Sequence, residues 1–129
     1  MTQDLLETID EGIATLTMNR PDSRNALTRD MVQAMSTALG RLATDPSIRL
    51  IMLTGAGRAF CSGGDVKGFA QVAAGNTPAM GFDQRVSDLR LRMEVARLLH
   101  EMPKPTLAVI PGPAAGAGLS LALACDLRL

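Results

Sequence analysis

Two short runs that mix β-prone apolar and polar positions, Leu5–Asp10 and Ile13–Met18, flank Glu11-Gly12 and predict a hairpin of two strands. A polar loop, residues 19–25, separates them from a segment of helical period. There Met31, Met35, Leu39 and Leu42 share one face, Thr28 supplies an N-cap and Asp45-Pro46 ends the helix. Gly40 weakens its C-terminal end. Residues 48–54 read as a buried strand, and Gly55-Ala56-Gly57 with Gly63-Gly64 bracket the loop after it. Asp65 opens a short helix. Residues 73–81, rich in Ala, Gly and Pro, predict a mobile connection. Beyond Asp83, Val86, Leu89, Met93, Ala96 and Leu99 line one face of a long helix that stops before Pro103-Lys104-Pro105. A second buried strand is expected over residues 106–110, then a loop over 111–115, a small-residue helix over 116–124 and the start of a further strand at 126–129.

Helices that recur between buried strands predict an α/β fold with parallel strands, and 129 residues suit one domain, residues 1–129. The last predicted strand has no successor to cover its faces. That is the pattern expected of a domain truncated before its C-terminal half.

Composition narrows the function classes. The chain is 47% hydrophobic and 20% charged, ordinary for a folded domain and too apolar for disorder. Its 13 basic residues balance 13 acidic ones, so no net field favours nucleic acid or an anionic membrane. With aromatics at 2% and neither Trp nor Tyr, platforms for stacked bases are missing. Residues 1–10 lack a basic stretch followed by an apolar one, and no apolar run approaches the ~18 residues of a membrane helix. A cytoplasmic protein is expected, without nucleic-acid or membrane partners. Cys61 and Cys125 lack metal-ligand spacing and are expected to be small buried apolar residues, with no metal bound.

One local plan occurs twice: a buried strand, a loop of small residues, then a helix start. The first instance runs from residues 50–54 through Gly55 and Gly64 to Asp65. The second runs from residues 106–110 through 111–115 to Gly116-Ala117-Gly118. Small residues let a ligand approach the backbone, and a helix start offers unpaired N–H donors at the positive end of its dipole. Two such starts converging on one point would bind a negative oxygen, the requirement of an oxyanion hole. Glycines that only permit close helix–strand packing are the alternative. Gly112-Pro-Ala-Ala-Gly116-Ala-Gly118 also has the G-x-x-x-G-x-G spacing of short-chain dehydrogenases, but no acidic residue follows at the ribose-contact offset. No Lys-Ser or Lys-Thr pair completes a Walker loop.

Taken in order, several stretches resemble the crotonase (enoyl-CoA hydratase/isomerase) superfamily across the whole chain. They are Leu16-Thr-Met-Asn-Arg-Pro21 with Asn25-Ala26-Leu27, and Leu53-Thr-Gly-Ala-Gly-Arg-Ala-Phe-Cys-Ser-Gly-Gly-Asp-Val-Lys67. Pro103-Lys-Pro105 and Gly112-Pro-Ala-Ala-Gly-Ala-Gly-Leu-Ser-Leu-Ala-Leu-Ala-Cys-Asp126 complete the set. The resemblance implies a ββα spiral and a coenzyme A thioester as substrate, with no bound cofactor. It assigns the backbone N–H groups of Gly64 and Ala117 as oxyanion donors. Ala26, Ser62, Asp65, Val66 and Lys67 would line the coenzyme A channel, with Arg24 and Lys67 toward its phosphates. Solvated surface cations and a dipole-stabilising Asp65 are the plainer accounts of those charges. A homotrimer or hexamer is implied for a full-length member.

At Ser120 the sequence departs from the family, whose hydratases carry a glutamate there, one of two that activate water. Serine is no carboxylate base, so it bonds backbone or faces the pocket without titrating. The second acidic position of the family would lie past residue 129. The pattern is more like isomerase members, including those similar to ring-1,2-epoxyphenylacetyl-CoA isomerases. Three functions therefore stay open: an enoyl-CoA isomerase or hydratase relative, a non-catalytic acyl-CoA binder and a nucleotide-dependent dehydrogenase. His100 reads as a last-turn cation, Met31, Met35 and Met93 as core, and Arg90, Arg92 and Arg97 as a solvated face.

Overall fold

One five-stranded sheet organises residues 3–129, the residues described by the computed structural model. Its strands lie in chain order: β1 (Leu5–Asp10), β2 (Ile13–Met18), β3 (Leu50–Gly55), β4 (Thr106–Ala108) and β5 (Leu127–Arg128). β1 and β2 form an antiparallel hairpin, and every later pairing is parallel. Glu11 and Gly12 at the hairpin tip have φ of 48° and 83°, the two positive angles that a tight turn of matching twist demands. Parallel neighbours need crossovers, supplied here by α1 (Arg29–Thr44), by α2 (Val66–Ala73) with α3 (Phe82–His100), and by α4 (Ala117–Ala124).

Register places Leu16 opposite Leu53 and Leu53 opposite Ala108, all buried in one core. Met31, Met35, Leu39 and Leu42 of α1 join that core, as their spacing requires. Thr28 caps α1 as expected, its hydroxyl accepting from the Met31 amide at 3.1 Å. The other end of α1 is closed from a distance. Lys104 Nζ donates to the carbonyls of Leu42 (2.6 Å) and Asp45, placing a cation on the negative pole of the helix. Thr106 and Asp126 clasp β4 to the end of α4: the Thr106 amide donates to Asp126 Oδ2 at 2.9 Å, and the Asp126 amide donates to Thr106 Oγ1 at 2.9 Å.

Several expectations shift. β3 begins at Leu50, because residue 48 closes a turn on the Asp45 carbonyl (3.1 Å) instead of joining the ladder. β4 is shorter than residues 106–110, although Val109 still donates to the Leu53 carbonyl at 2.9 Å. α3 turns only part of the expected face inward, Leu99 buried and Ala96 packed against the core. Val95 and Leu99 are buried with Leu91, Leu98 and Met102 packed beside them, whereas Met93 is 64% exposed and Leu89 59% exposed. Met93 is therefore not core. Arg97 lies on the solvated face, paired with Glu94 and Glu101, but Arg92 does not share it. Cys61 and Cys125 are buried free thiols. Among the described residues, no helix is long and apolar enough to cross a membrane.

Candidate functional site

Beside the main sheet, three loop segments lie edge to edge. Leu27 N–H donates to the Gly63 carbonyl (2.8 Å), and Ser62 N–H donates to the Arg24 carbonyl (2.9 Å). On the other side, Phe60 N–H donates to the Pro113 carbonyl (3.0 Å) and Ala115 N–H to the Cys61 carbonyl (3.0 Å). Single parallel bridges, Leu27 with Gly64 and Cys61 with Ala114, mark the two seams. The segment 61–64 is thus held between the strand-to-helix loop before α1 and the loop before α4. These are the stretches singled out in the sequence, brought to one place.

Asn25 fixes the first loop. It is fully buried at φ 57°, and its Nδ2 donates to the carbonyls of Ala56 and Ala59, both at 2.9 Å. Its Oδ1 accepts from the Arg20 amide at 2.8 Å. A compact polar side chain that tolerates the left-handed region can satisfy all three groups at once. Gly118 lets α4 reach the middle segment, since a β-carbon there would stand 2.4 Å from the Cys61 carbonyl oxygen. Gly112 serves the same end: its β-carbon would fall 1.9 Å from the Arg58 carbonyl oxygen. The first glycine of the dehydrogenase-like spacing is therefore taken up by packing against Arg58.

The amides of Gly64 and Ala117 stand apart from this bonding. Among the described residues neither donates to a carbonyl, although the neighbouring Val66, Gly118 and Ser120 amides do. Ala117 is the first residue of α4, where an N–H has no partner within its helix. Gly63, at φ 98°, would place a β-carbon 3.4 Å from the Ala117 nitrogen, so the two turns touch.

Two clefts lie beside these turns. One, of about 400 Å³, is lined by Arg24, Ala26, Ser62, Gly64, Asp65, Val66 and Lys67 together with Asp22 and Ser23. The other, of about 410 Å³, is largely apolar and includes Leu27, Val32, Met35, Leu89 and Leu121, with Ala117 and Ser120 on its wall. Every candidate oxyanion and coenzyme A residue thus lines one cleft or the other, with Gly64 in the polar one and Ala117 in the apolar one. Ser120 is exposed to its cleft and directs its hydroxyl to the Gly116 carbonyl at 3.4 Å. Neither a carboxylate nor a histidine lines the apolar cleft. Asp65 caps α2 by accepting from the Gly68 amide at 3.4 Å. Arg24 and Lys67 are exposed and, among the described residues, form no ion pair. His100, exposed at the last turn of α3, lines neither cleft.

Burial raises the Cys61 thiol above its ordinary range, opposed only by the Gly63 amide that donates to its sulfur at 3.4 Å. Desolvation likewise pushes Cys125 up to about 11. Neither sulfur is a thiolate nucleophile at neutral pH.

Two residues that the sequence did not point to border the site. Arg92 of α3 brings Nη1 to 3.2 Å from the place a Gly64 β-carbon would take, and the Phe69 ring comes to 3.4 Å from the same point. Nothing in linear spacing relates residues 64, 69 and 92. Only the folding of α2 and α3 over the loop does so.

Residues 8–129 match the enoyl-CoA hydratase/isomerase family. A Mycobacterium leprae protein named as a probable enoyl-CoA hydratase is 42% identical over 120 residues, covering 91% of this chain and 40% of its own length. The 1,2-epoxyphenylacetyl-CoA isomerase of Escherichia coli is 35% identical over 127 residues, covering 98% of this chain and 47% of its own. The crystal structure of an enoyl-CoA hydratase/isomerase from Xanthobacter autotrophicus Py2 superposes with a TM-score of 0.87 at 34% identity, over 99% of this chain and 46% of that one. The chain thus spans less than half the length of these relatives.

Proposed function

The chain belongs to the enoyl-CoA hydratase/isomerase family, and from that premise we propose that it builds the thioester-binding part of an acyl-CoA enzyme. The amides of Gly64 and Ala117 act as the oxyanion hole. The polar cleft holds coenzyme A, and the apolar cleft holds the acyl group. The observation that carries this reading is the contact of two small-residue turns, each with an amide that has no carbonyl partner, one lining the polar cleft and the other the apolar cleft.

The chemistry follows from charge. Removing a proton from the carbon next to a thioester moves negative charge onto its oxygen. Two preorganised N–H donors away from bulk water stabilise that oxygen far more than the neutral carbonyl, and one such donor lowers the barrier by ~2.7–4 kcal/mol. Donation comes from the main chain, so an alanine at 117 serves as well as a glycine. Arg24 and Lys67, exposed at the rim, meet the coenzyme A phosphates as point or forked cations.

Ser120 decides between reaction types. A hydroxyl cannot act as a carboxylate base, so water addition aided by residue 120 is disfavoured and proton relocation, as in an isomerase, is the better account. The proton is moved by a group outside the apolar cleft's present lining. A trimer or hexamer is the expected assembly of the enzyme.

Exchange of substrate protons in deuterated buffer, followed by NMR on crotonyl- and 3-enoyl-CoA, tests the proposal. Deuterium entering the acyl chain at a rate that depends on the protein supports enolate chemistry. Tight binding without exchange favours the second reading, a non-catalytic acyl-CoA binder, which the lack of a carboxylate or histidine in the apolar cleft recommends.

A further inference from the structure

Resting on the acyl-CoA reading above, we propose that Arg92 selects acyl groups bearing a free carboxylate near the thioester, so that short dicarboxylic acyl-CoA esters are the substrate class. Arg92 is partly buried on α3 and lines the apolar cleft that holds Ala117 and Ser120. It also lines a neighbouring cleft of about 430 Å³ formed with Phe69, Met80, Arg85, Asp88 and Leu89. Its guanidinium reaches to 3.2 Å from the β-carbon position of Gly64, beside the turn where the thioester oxygen would sit.

The protein does not satisfy this cation itself. Among the described residues, the Arg92 guanidinium makes neither an ion pair nor a hydrogen bond. The acid one turn earlier, Asp88, is engaged elsewhere, by Arg29 at 3.4 Å and by Gln84 Nε2 at 3.0 Å. A guanidinium only partly open to water beside Leu27, Val32, Met35 and Leu89 gains from a charged partner brought to it. No carboxylate on that cleft's wall would repel an incoming anion. A ligand carboxylate fits the planar fork, and charge-assisted bonds of that kind are the stronger ones. A purely aliphatic acyl group would leave the guanidinium without a partner and cover it with methylenes. Selection against aliphatic chains therefore comes from the same residue.

The test is calorimetric titration of glutaryl-CoA, valeryl-CoA and coenzyme A alone against the wild type and Arg92→Met. The two thioesters match in chain length and differ by the carboxylate, while methionine keeps an apolar stem without charge. Wild type should bind glutaryl-CoA at least about tenfold more tightly than valeryl-CoA, as one charged pair implies. Arg92→Met should lose that preference and bind coenzyme A unchanged, with Arg92→Lys between the two. Equal affinity of the wild type for both thioesters, or a preference that survives Arg92→Met, overturns the assignment. Failure of coenzyme A and of both thioesters to bind would instead overturn the acyl-CoA reading on which it rests.

Discussion

Gly63 presses against the turn that carries Ala117: a β-carbon on Gly63 would stand 3.4 Å from the Ala117 nitrogen and 2.9 Å from the Ala115 carbonyl oxygen. With φ at 98°, Gly63 also occupies a region costly to any other residue. Gly63→Ala is expected to destabilise the fold by ~1–3 kcal/mol and to weaken acyl-CoA binding by about tenfold. Urea unfolding and calorimetric titration check both numbers. A variant of unchanged affinity would show that the spacing of the two turns is not what the thioester reads.

Two other glycines in helices should respond in opposite directions. Gly118→Ala drives a β-carbon to 2.4 Å from the Cys61 carbonyl oxygen, against backbone that cannot rotate away, and should cost ~1–3 kcal/mol or more. Gly40, inside α1, has nothing within 4 Å of its β-carbon position, so Gly40→Ala should stabilise by ~0.5–1 kcal/mol. Thermal unfolding of the pair separates close packing from helix propensity.

Asn25→Ala removes two donated hydrogen bonds and one accepted one at a fully buried site. The Ala56 and Ala59 carbonyls lose their bonds to Nδ2, so a loss of ~2–4 kcal/mol is expected. Asn25→Asp should do at least as much harm near neutral pH, where a carboxylate would face both carbonyls without a proton to donate. Chemical denaturation at pH 7 distinguishes these from a mere surface change.

Much of this arrangement is legible in the sequence, for identifiable reasons. β1 and β2 have the predicted limits because Glu11-Gly12 fixes the turn, and α1 is legible because Met31, Met35, Leu39 and Leu42 leave one reading of the buried face. α3 was not. Apolar residues such as Leu89, Leu91, Met93, Val95, Leu98 and Leu99 surround it, so periodicity offers more than one inward face and only packing chooses among them. The polar cleft was legible through the order of its motifs, residue by residue from Arg24 to Lys67. The place of Arg92 beside Gly64 was not, because it depends on where α3 crosses the loop.

The buried thiols predict an alkaline limit. In the unfolded chain Cys125 titrates near its ordinary value of 9.0, whereas in the folded protein desolvation pushes it up to about 11. The raised value means that the folded state holds its proton longer. The stability this contributes is complete below pH 9 and is lost as the pH rises through about 11. Cys61 adds in the same direction. Urea midpoints measured across this window should fall, and Cys125→Ala should flatten part of the decline.

The central claim is that two main-chain donors from separate turns hold one acyl oxygen. It is tested most directly by nitrogen-15 NMR of the backbone amides during titration with an acyl-CoA thioester and, separately, with coenzyme A alone. The Gly64 and Ala117 amide protons should move downfield together with the thioester and far less with coenzyme A, as donors do when they gain an oxygen. If the thioester binds and those two amides stay where they were, the acyl oxygen is held elsewhere and the proposed chemistry is wrong.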